Sequence, residues 1–305
     1  MSQTVQPAQP VQTAATASPT TSLAAVRPRV RPRARLTERL GALGVAAALV
    51  LTVIVVVAIL APVVAPYDPD QPNLLDVLSG PTWAHWLGTD ALGRDILSRL
   101  IWGSRLTLAG PALVIVLSTT IGALLALTAA WFRGRVDTVI SWVVDVLFAV
   151  PGIVFALIAV AIFGPGFATV IGGLVIAYIP YVARVIRGGA LRERSLPYVS
   201  AAWLQGQKAT SIVGRQLLPN LRPLIVAQAV SALGFAVIDL AAVSFLGLGV
   251  QPPTADLGLM VKSGFDSVLR GFFTEAASAG TLIVVIVLCV TIIGDRLSAT
   301  ARRGK

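Results

Sequence analysis

Six apolar runs, each close to the length that crosses a lipid bilayer, constrain this chain more than any other feature. They lie roughly at Ala42 to Val64, Leu106 to Phe132, Thr138 to Phe163, Ala168 to Ala183, Pro223 to Leu248 and Ala277 to Ile293. A helix rises about 1.5 Å per residue, so a spanning helix needs about 20 apolar residues. The runs predict an all-α integral membrane protein with six transmembrane helices. With 56% hydrophobic and 12% charged residues and a mean hydropathy of +0.83, the chain is far from a soluble domain, whose charged fraction is about 25%.

Charge gives the orientation. If the amino terminus is cytoplasmic, the inner segments carry six basic residues (Arg27 to Arg39), two (Arg133, Arg135), seven (Arg184 to Arg222) and four (Arg296 to Lys305). Only Arg94, Arg99, Arg105, Lys262 and Arg270 then fall outside. The positive-inside rule places both termini in the cytoplasm. The net charge of +10 thus reports topology. It is spread between apolar spans with no aromatic-interleaved patch, which argues against nucleic acid. The lone Cys289 reads as a small buried hydrophobe, and the single His85 leaves no histidine-rich metal site.

This organisation predicts a disordered basic cytoplasmic tail (1–41), a first spanning helix (42–64), an extracytoplasmic loop (65–105), a five-helix core (106–298) with an inner loop at 184–222, and a cytoplasmic tail (299–305). The first run is too long for a secretory leader and reads as an uncleaved helix. The tail's arginines stand beside that helix, as a topogenic flank or as a contact to anionic lipid.

Within the inner loop, Tyr198 to Asn220 carries Ala201-Ala202, then Gly206 four residues after Ala202, and Leu218-Pro219 beyond. This spacing resembles the cytoplasmic coupling loop of binding-protein-dependent ABC importers. Small alanines would let a short helix sit deeply in a partner groove, Gly206 would let the chain leave it, and Pro219 would set the start of the next helix. Two positions depart from the family: Ser200 replaces its acidic residue, and Gln216 replaces its usual Ile. Serine can cap a helix amino terminus, which would keep the loop's shape. Ahead of the loop, Arg184 and Arg187 share a helical face where anchoring at headgroups would explain them.

Before the second helix stands His85-Trp-Leu-Gly88-Thr-Asp90-Ala-Leu-Gly93-Arg94-Asp95-Ile-Leu-Ser-Arg99. It is similar to the signature of permease subunits of dipeptide, oligopeptide and nickel ABC importers, of the C-type, and implies a type I ABC importer transmembrane domain. Gly88 and Gly93 suit tight turns, while Asp90, Arg94, Asp95 and Arg99 can form local ion pairs that brace the outer end of the second helix. The end of the fifth helix, Ser244-Phe-Leu-Gly247-Leu-Gly249, is similar to the same family's turn. Its glycines would allow close approach to a neighbouring helix. Departures at Leu240 and Leu257 lie near the expected pore. Asp145 and Asp239 are carboxylates inside apolar runs. Each would cost roughly 2.5–3.5 kcal/mol at the bilayer centre, so both are predicted to face the protein interior, as inter-helix bonds or as a proton or substrate contact. The helix carrying Asp145 is predicted to bend at Pro151.

No phosphate-binding Gly-x-x-x-x-Gly-Lys loop, Gly-x-Ser-x-Gly elbow or His-Glu-x-x-His pattern occurs, so ATP chemistry would lie on another polypeptide. The resemblance implies a permease that moves short peptides, partnered by a homologous permease, two ABC ATPase subunits or domains and an extracytoplasmic binding protein. It also implies that the coupling helices move when ATP closes the ATPases. Nickel or another metal chelate is the alternative cargo, and a stand-alone membrane enzyme or channel is the alternative class.

Overall fold

A computed structural model describes residues 36–303. The expected basic tail falls almost wholly outside the described residues, as do Gly304 and Lys305. Among the described residues the regular structure is helical: α1 (Leu36–Ile59), α2 (Ala61–Val64), α3 (Ile96–Phe132), α4 (Gly134–Phe148), α5 (Gly152–Phe163), α6 (Phe167–Arg194), α7 (Pro197–Leu204), α8 (Ala209–Ile212), α9 (Leu218–Phe245), α10 (Leu257–Val268) and α11 (Thr274–Arg303). Among the described residues five stretches are long and apolar enough to cross a membrane, and α4 and α5 reach that length only taken together, which as one bent span would make six.

Several boundaries differ from the expected ones, each for a local reason. The second spanning helix begins at Ile96 and not at Leu106. Asp95 caps it, accepting the Ser98 N–H at 2.8 Å, which satisfies one of the four donors a helix start leaves open. The third run was expected to bend but breaks, with 84° between α4 and α5. Pro151 has no N–H to continue the ladder and disfavours helical geometry at Val150 before it.

Pro219 stands in the first turn of α9, the place expected of it, but the helical path begins before it. Ala209 to Phe245 forms one span, with Pro219 well inside it. The proline leaves the Arg215 carbonyl without its usual donor and crowds it. The ladder loosens into a π turn at Val213–Leu217, where the Leu218 N–H bonds the Val213 carbonyl.

The centre of the bundle is α6, packed against α3, α4, α5 and α9. Its span is 61% buried, against 17% for the first and 22% for the last. Val114 on α3, Val170 and Leu174 on α6, and Ala236 and Leu240 on α9 meet there. Small residues set the spacing, since hydrocarbon gives helices no hydrophobic drive to associate and contact must come from close packing. A Cβ on Gly173 of α6 would lie 2.7 Å from the Phe155 carbonyl oxygen and from the Ala156 Cα of α5.

Candidate functional site

The 184–222 loop is built around α7, which lies across one end of α3, α6 and the α8–α9 span. Pro197 opens it, suited to a first turn where its missing N–H is not needed, and Leu196 occupies the cap position. Ser200 is therefore not a cap. It is the fourth residue of the helix, exposed, with no capping bond.

The alanine pair divides between two faces. Ala201 is exposed, whereas Ala202 is buried with Val199 against Leu127, Trp131, Ala190, Ile212 and Leu217. Ala202 therefore fits α7 to its own bundle rather than to a partner's groove. The outward surface belongs to Trp203, 58% exposed, and Leu204, 86% exposed. Sequence reasoning passed over both, although two large apolar residues in a polar loop were the available signal. Gly206 leaves the helix with φ +74 and no atom within 4 Å of a Cβ built there. Leu218 packs partly buried against the same cluster as Ala202.

Polar contacts hold α7 in place. The Tyr198 hydroxyl donates to Glu193 Oε1 at 2.9 Å, and Asn220 Nδ2 donates to that oxygen and to the Tyr198 hydroxyl, both at 3.0 Å. Burial raises the Tyr198 phenol above its ordinary range; the bond it gives Glu193 adds to this and the bond from Asn220 opposes it. Arg194 Nη1 donates to the Ala130 carbonyl at 2.8 Å, and its guanidinium lies 5.3 Å from the Trp131 ring centre. Trp131 in turn meets Trp203 with ring centres 5.7 Å apart.

At the opposite end, the signature residues form a buried ionic knot. Asp90 accepts the Arg94 N–H and Nε at 2.9 and 2.7 Å, and Arg99 Nε lies 3.6 Å from the same carboxylate. Arg99 is not confined to this local group. Its Nη1 donates to the Pro69 carbonyl at 2.8 Å and to the Pro253 carbonyl at 3.3 Å. Asp95 pairs with His85 Nδ1 at 2.9 Å, and the imidazole packs on Tyr67 with centres 4.7 Å apart. Gly88 and Gly93 hold left-handed backbone, φ +78 and +76, and a Cβ would strike the Ser79 and Asn73 carbonyls.

The turn after α9 works differently from its expected role. Gly247, at φ +80, closes the helix beneath Lys262, and Gly249 folds against Ser244 of its own turn rather than against a neighbour. The close helix contact belongs to Gly258 of α10, where a Cβ would lie 2.5 Å from the Ala241 carbonyl oxygen. Asp256 caps α10 through the Leu259 N–H at 3.2 Å and accepts from the Thr107 hydroxyl at 3.1 Å. Burial lifts its carboxyl above the ordinary range, against the lowering pull of those bonds.

The two intramembrane carboxylates both bond across helices, in different surroundings. Asp239 of α9 is half-buried and accepts from the Tyr178 hydroxyl of α6 at 2.8 Å. Asp145 does not face the interior of this chain. Its side chain is 64% exposed and pairs at 2.7 Å with Arg184, itself 49% exposed and stacked 4.0 Å from the Phe148 ring centre. One turn on, Arg187 grips Asp137 with two bonds of 2.6 and 2.7 Å. The two arginines thus clamp α4 to α6, which the headgroup-anchor expectation did not foresee.

Residues 118–303 match the family described as binding-protein-dependent transport system inner membrane component. Residues 42–81 match the N-terminal TM domain of oligopeptide transport permease C. The chain is similar to the glutathione transport system permease protein GsiD of Pectobacterium atrosepticum, 38% identical over 76% of this chain and 77% of that protein. It is also similar to the dipeptide transport system permease protein DppC of Haemophilus influenzae, 33% identical over 76% and 80%. Among solved structures, an inward-facing form of the MetNI methionine ABC transporter aligns with a TM-score of 0.56 at 21% identity, covering 68% of this chain and 97% of the other. That likeness concerns the fold.

Proposed function

Because this chain belongs to the binding-protein-dependent transport system inner membrane component family, we propose that it is the membrane-spanning permease subunit that moves short peptides inward. It is a transporter subunit and not an enzyme, with ATP hydrolysis on separate polypeptides. It works with an ATPase and a substrate-binding protein. In our reading the complete assembly has one homologous permease, two ATPase subunits or domains and one extracytoplasmic binding protein, and both termini of this chain are cytoplasmic, in line with its basic inner segments. Peptides are the favoured cargo because the dipeptide and glutathione permeases are among its similar relatives.

The observation that carries the reading is the two-faced α7. One side, Val199 and Ala202, is buried in the bundle; on the other, Leu204 is almost fully exposed and Trp203 keeps more than half of its surface open beside the Trp131 ring. Large apolar residues exposed on an ordered polar loop mark a surface for a protein partner. We assign that partner as the ATPase, contacted by Ser200, Ala201, Trp203 and Leu204, while Ala202, Leu218 and Pro219 set the joint's shape and Gly206 its exit. Nucleotide-driven movement of the ATPase would then displace α7 and, through it, the spanning helices. The outer knot of His85, Gly88, Asp90, Gly93, Arg94, Asp95 and Arg99 braces the outer end of α3. Asp145, Asp239, Ser244, Gly247 and Gly249 serve helix–helix and turn contacts near the pathway.

The test joins assembly to transport. Single cysteines at positions 203 and 204 should crosslink to the co-expressed ATPase in intact cells, and a deletion strain carrying this chain should take up labelled di- and tripeptides but not nickel. Crosslinks that fail at both positions, or uptake of nickel in place of peptides, would refute the assignment.

A further inference from the structure

Between 184 and 222 the chain holds seven basic residues and a single acid, Glu193. That acid is buried, 7% exposed, on the last turn of α6. A carboxylate in such a place is costly unless its oxygens are satisfied. One of them, Oε1, is where three helices meet: α6 supplies the carboxylate, α7 the Tyr198 hydroxyl and α9 the Asn220 amide. Asn220 also reaches the Tyr198 hydroxyl and closes a triangle with sides of 2.9, 3.0 and 3.0 Å.

From α7 towards α9, the chain itself and the apolar packing are poor transmitters of force. Towards α9 the chain passes through Gly206, in left-handed backbone with open space around it. The apolar contacts of Val199 and Ala202 are non-directional and allow sliding. Bonds to a charged acceptor are directional and among the stronger hydrogen bonds. Resting on the reading of α7 as the ATPase contact, we infer that Glu193 is the positioning residue of the joint. It locks α7 to α6 and α9 so that a displacement of α7 moves both spanning helices together. Tyr198 and Asn220 are its two grips.

The test uses the complete importer in proteoliposomes with its ATPase and binding protein, and reads ATP hydrolysed per peptide imported. Glu193→Ala should still carry the ATPase through purification and hydrolyse ATP, with the ATP-to-peptide ratio raised at least about five-fold. Glu193→Gln keeps an acceptor oxygen and should stay within about two-fold of the parent. Tyr198→Phe removes one hydroxyl only and should raise the ratio as well; it decides the matter if Glu193→Ala does not assemble. An unchanged ratio in Glu193→Ala, or in Tyr198→Phe in that event, overturns the inference. Failure of the parent chain to bind an ATPase would instead overturn the reading on which it rests.

Discussion

Replacing Arg99 by methionine tests the outer knot most directly. Arg99 is the largest fully buried side chain among the described residues, 2% exposed. It joins two segments distant in sequence, through the Pro69 and Pro253 carbonyls, to the local Asp90 carboxylate. Methionine fills much of the same volume without charge, so the loss is mainly polar. Removing one partner of a buried ion pair costs about 3–5 kcal/mol. Here the lower end applies, because Asp90 keeps Arg94 at 2.7 Å. Two carbonyls that lose their donor add about 1 kcal/mol each, and the better solvation of an apolar side chain in a buried site offsets part of that. The expected loss is about 3–4 kcal/mol, read by denaturant unfolding in mixed micelles. Limited proteolysis should then cut 65–95 faster in the variant, since Arg99 ties Pro69 and Asp90 to α3. Stability within about 1 kcal/mol of the parent, with the loop equally protected, would refute the claim that this guanidinium holds the outer layer together.

Gly173→Ala should force α5 from α6, because its Cβ meets the Phe155 carbonyl oxygen at 2.7 Å. Overpacking of this kind costs about 1–3 kcal/mol, seen as a lowered Tm in detergent; an unchanged Tm would contradict the close approach. Gly206→Val should insert in the membrane at the parent's level but lose most uptake, since φ +74 is strained for a β-branched residue by about 1–2 kcal/mol; full uptake would show that the turn is not needed. For Asp256, burial raises the folded-state carboxyl above its unfolded value. The folded state therefore holds the proton more tightly, and stability falls as pH rises from the unfolded value through the raised one. Asp256→Asn keeps an acceptor for the cap without the charge, so its stability relative to the parent should increase from about pH 4 to neutral. A difference that does not change with pH would count against the shift.

How much was legible beforehand depends on the range of the interaction. The six apolar runs were read from composition alone, because a bilayer tests each segment separately for about 20 apolar residues. The motifs at 85–99, 198–220 and 244–249 located the knot, the joint and the turn, since turn glycines and helix-stopping prolines act within a few residues of themselves. Even there, one local rule was missed at the start of α7. Ser200 lies inside α7 and cannot cap it, because Pro197 already opens that helix with Leu196 at the cap position.

The partners of the charged residues that pair from one helix to another were not legible. Asp145 finds Arg184 across 39 residues, Asp137 finds Arg187 across 50, and Asp239 finds Tyr178 across 61. No periodicity selects one arginine over another at such distances, because the choice depends on which helix faces meet after the bundle packs. The same holds for Ala202, whose inward direction follows from the angle at which α7 crosses the bundle end. By itself the sequence determined that the chain crosses a membrane, where it turns, and which of its loops holds the short helix α7, all properties of segments tens of residues long at most. Only the tertiary structure decided that Glu193, Tyr198 and Asn220 share one hydrogen-bonded triangle, because that requires three helices to be brought together in space.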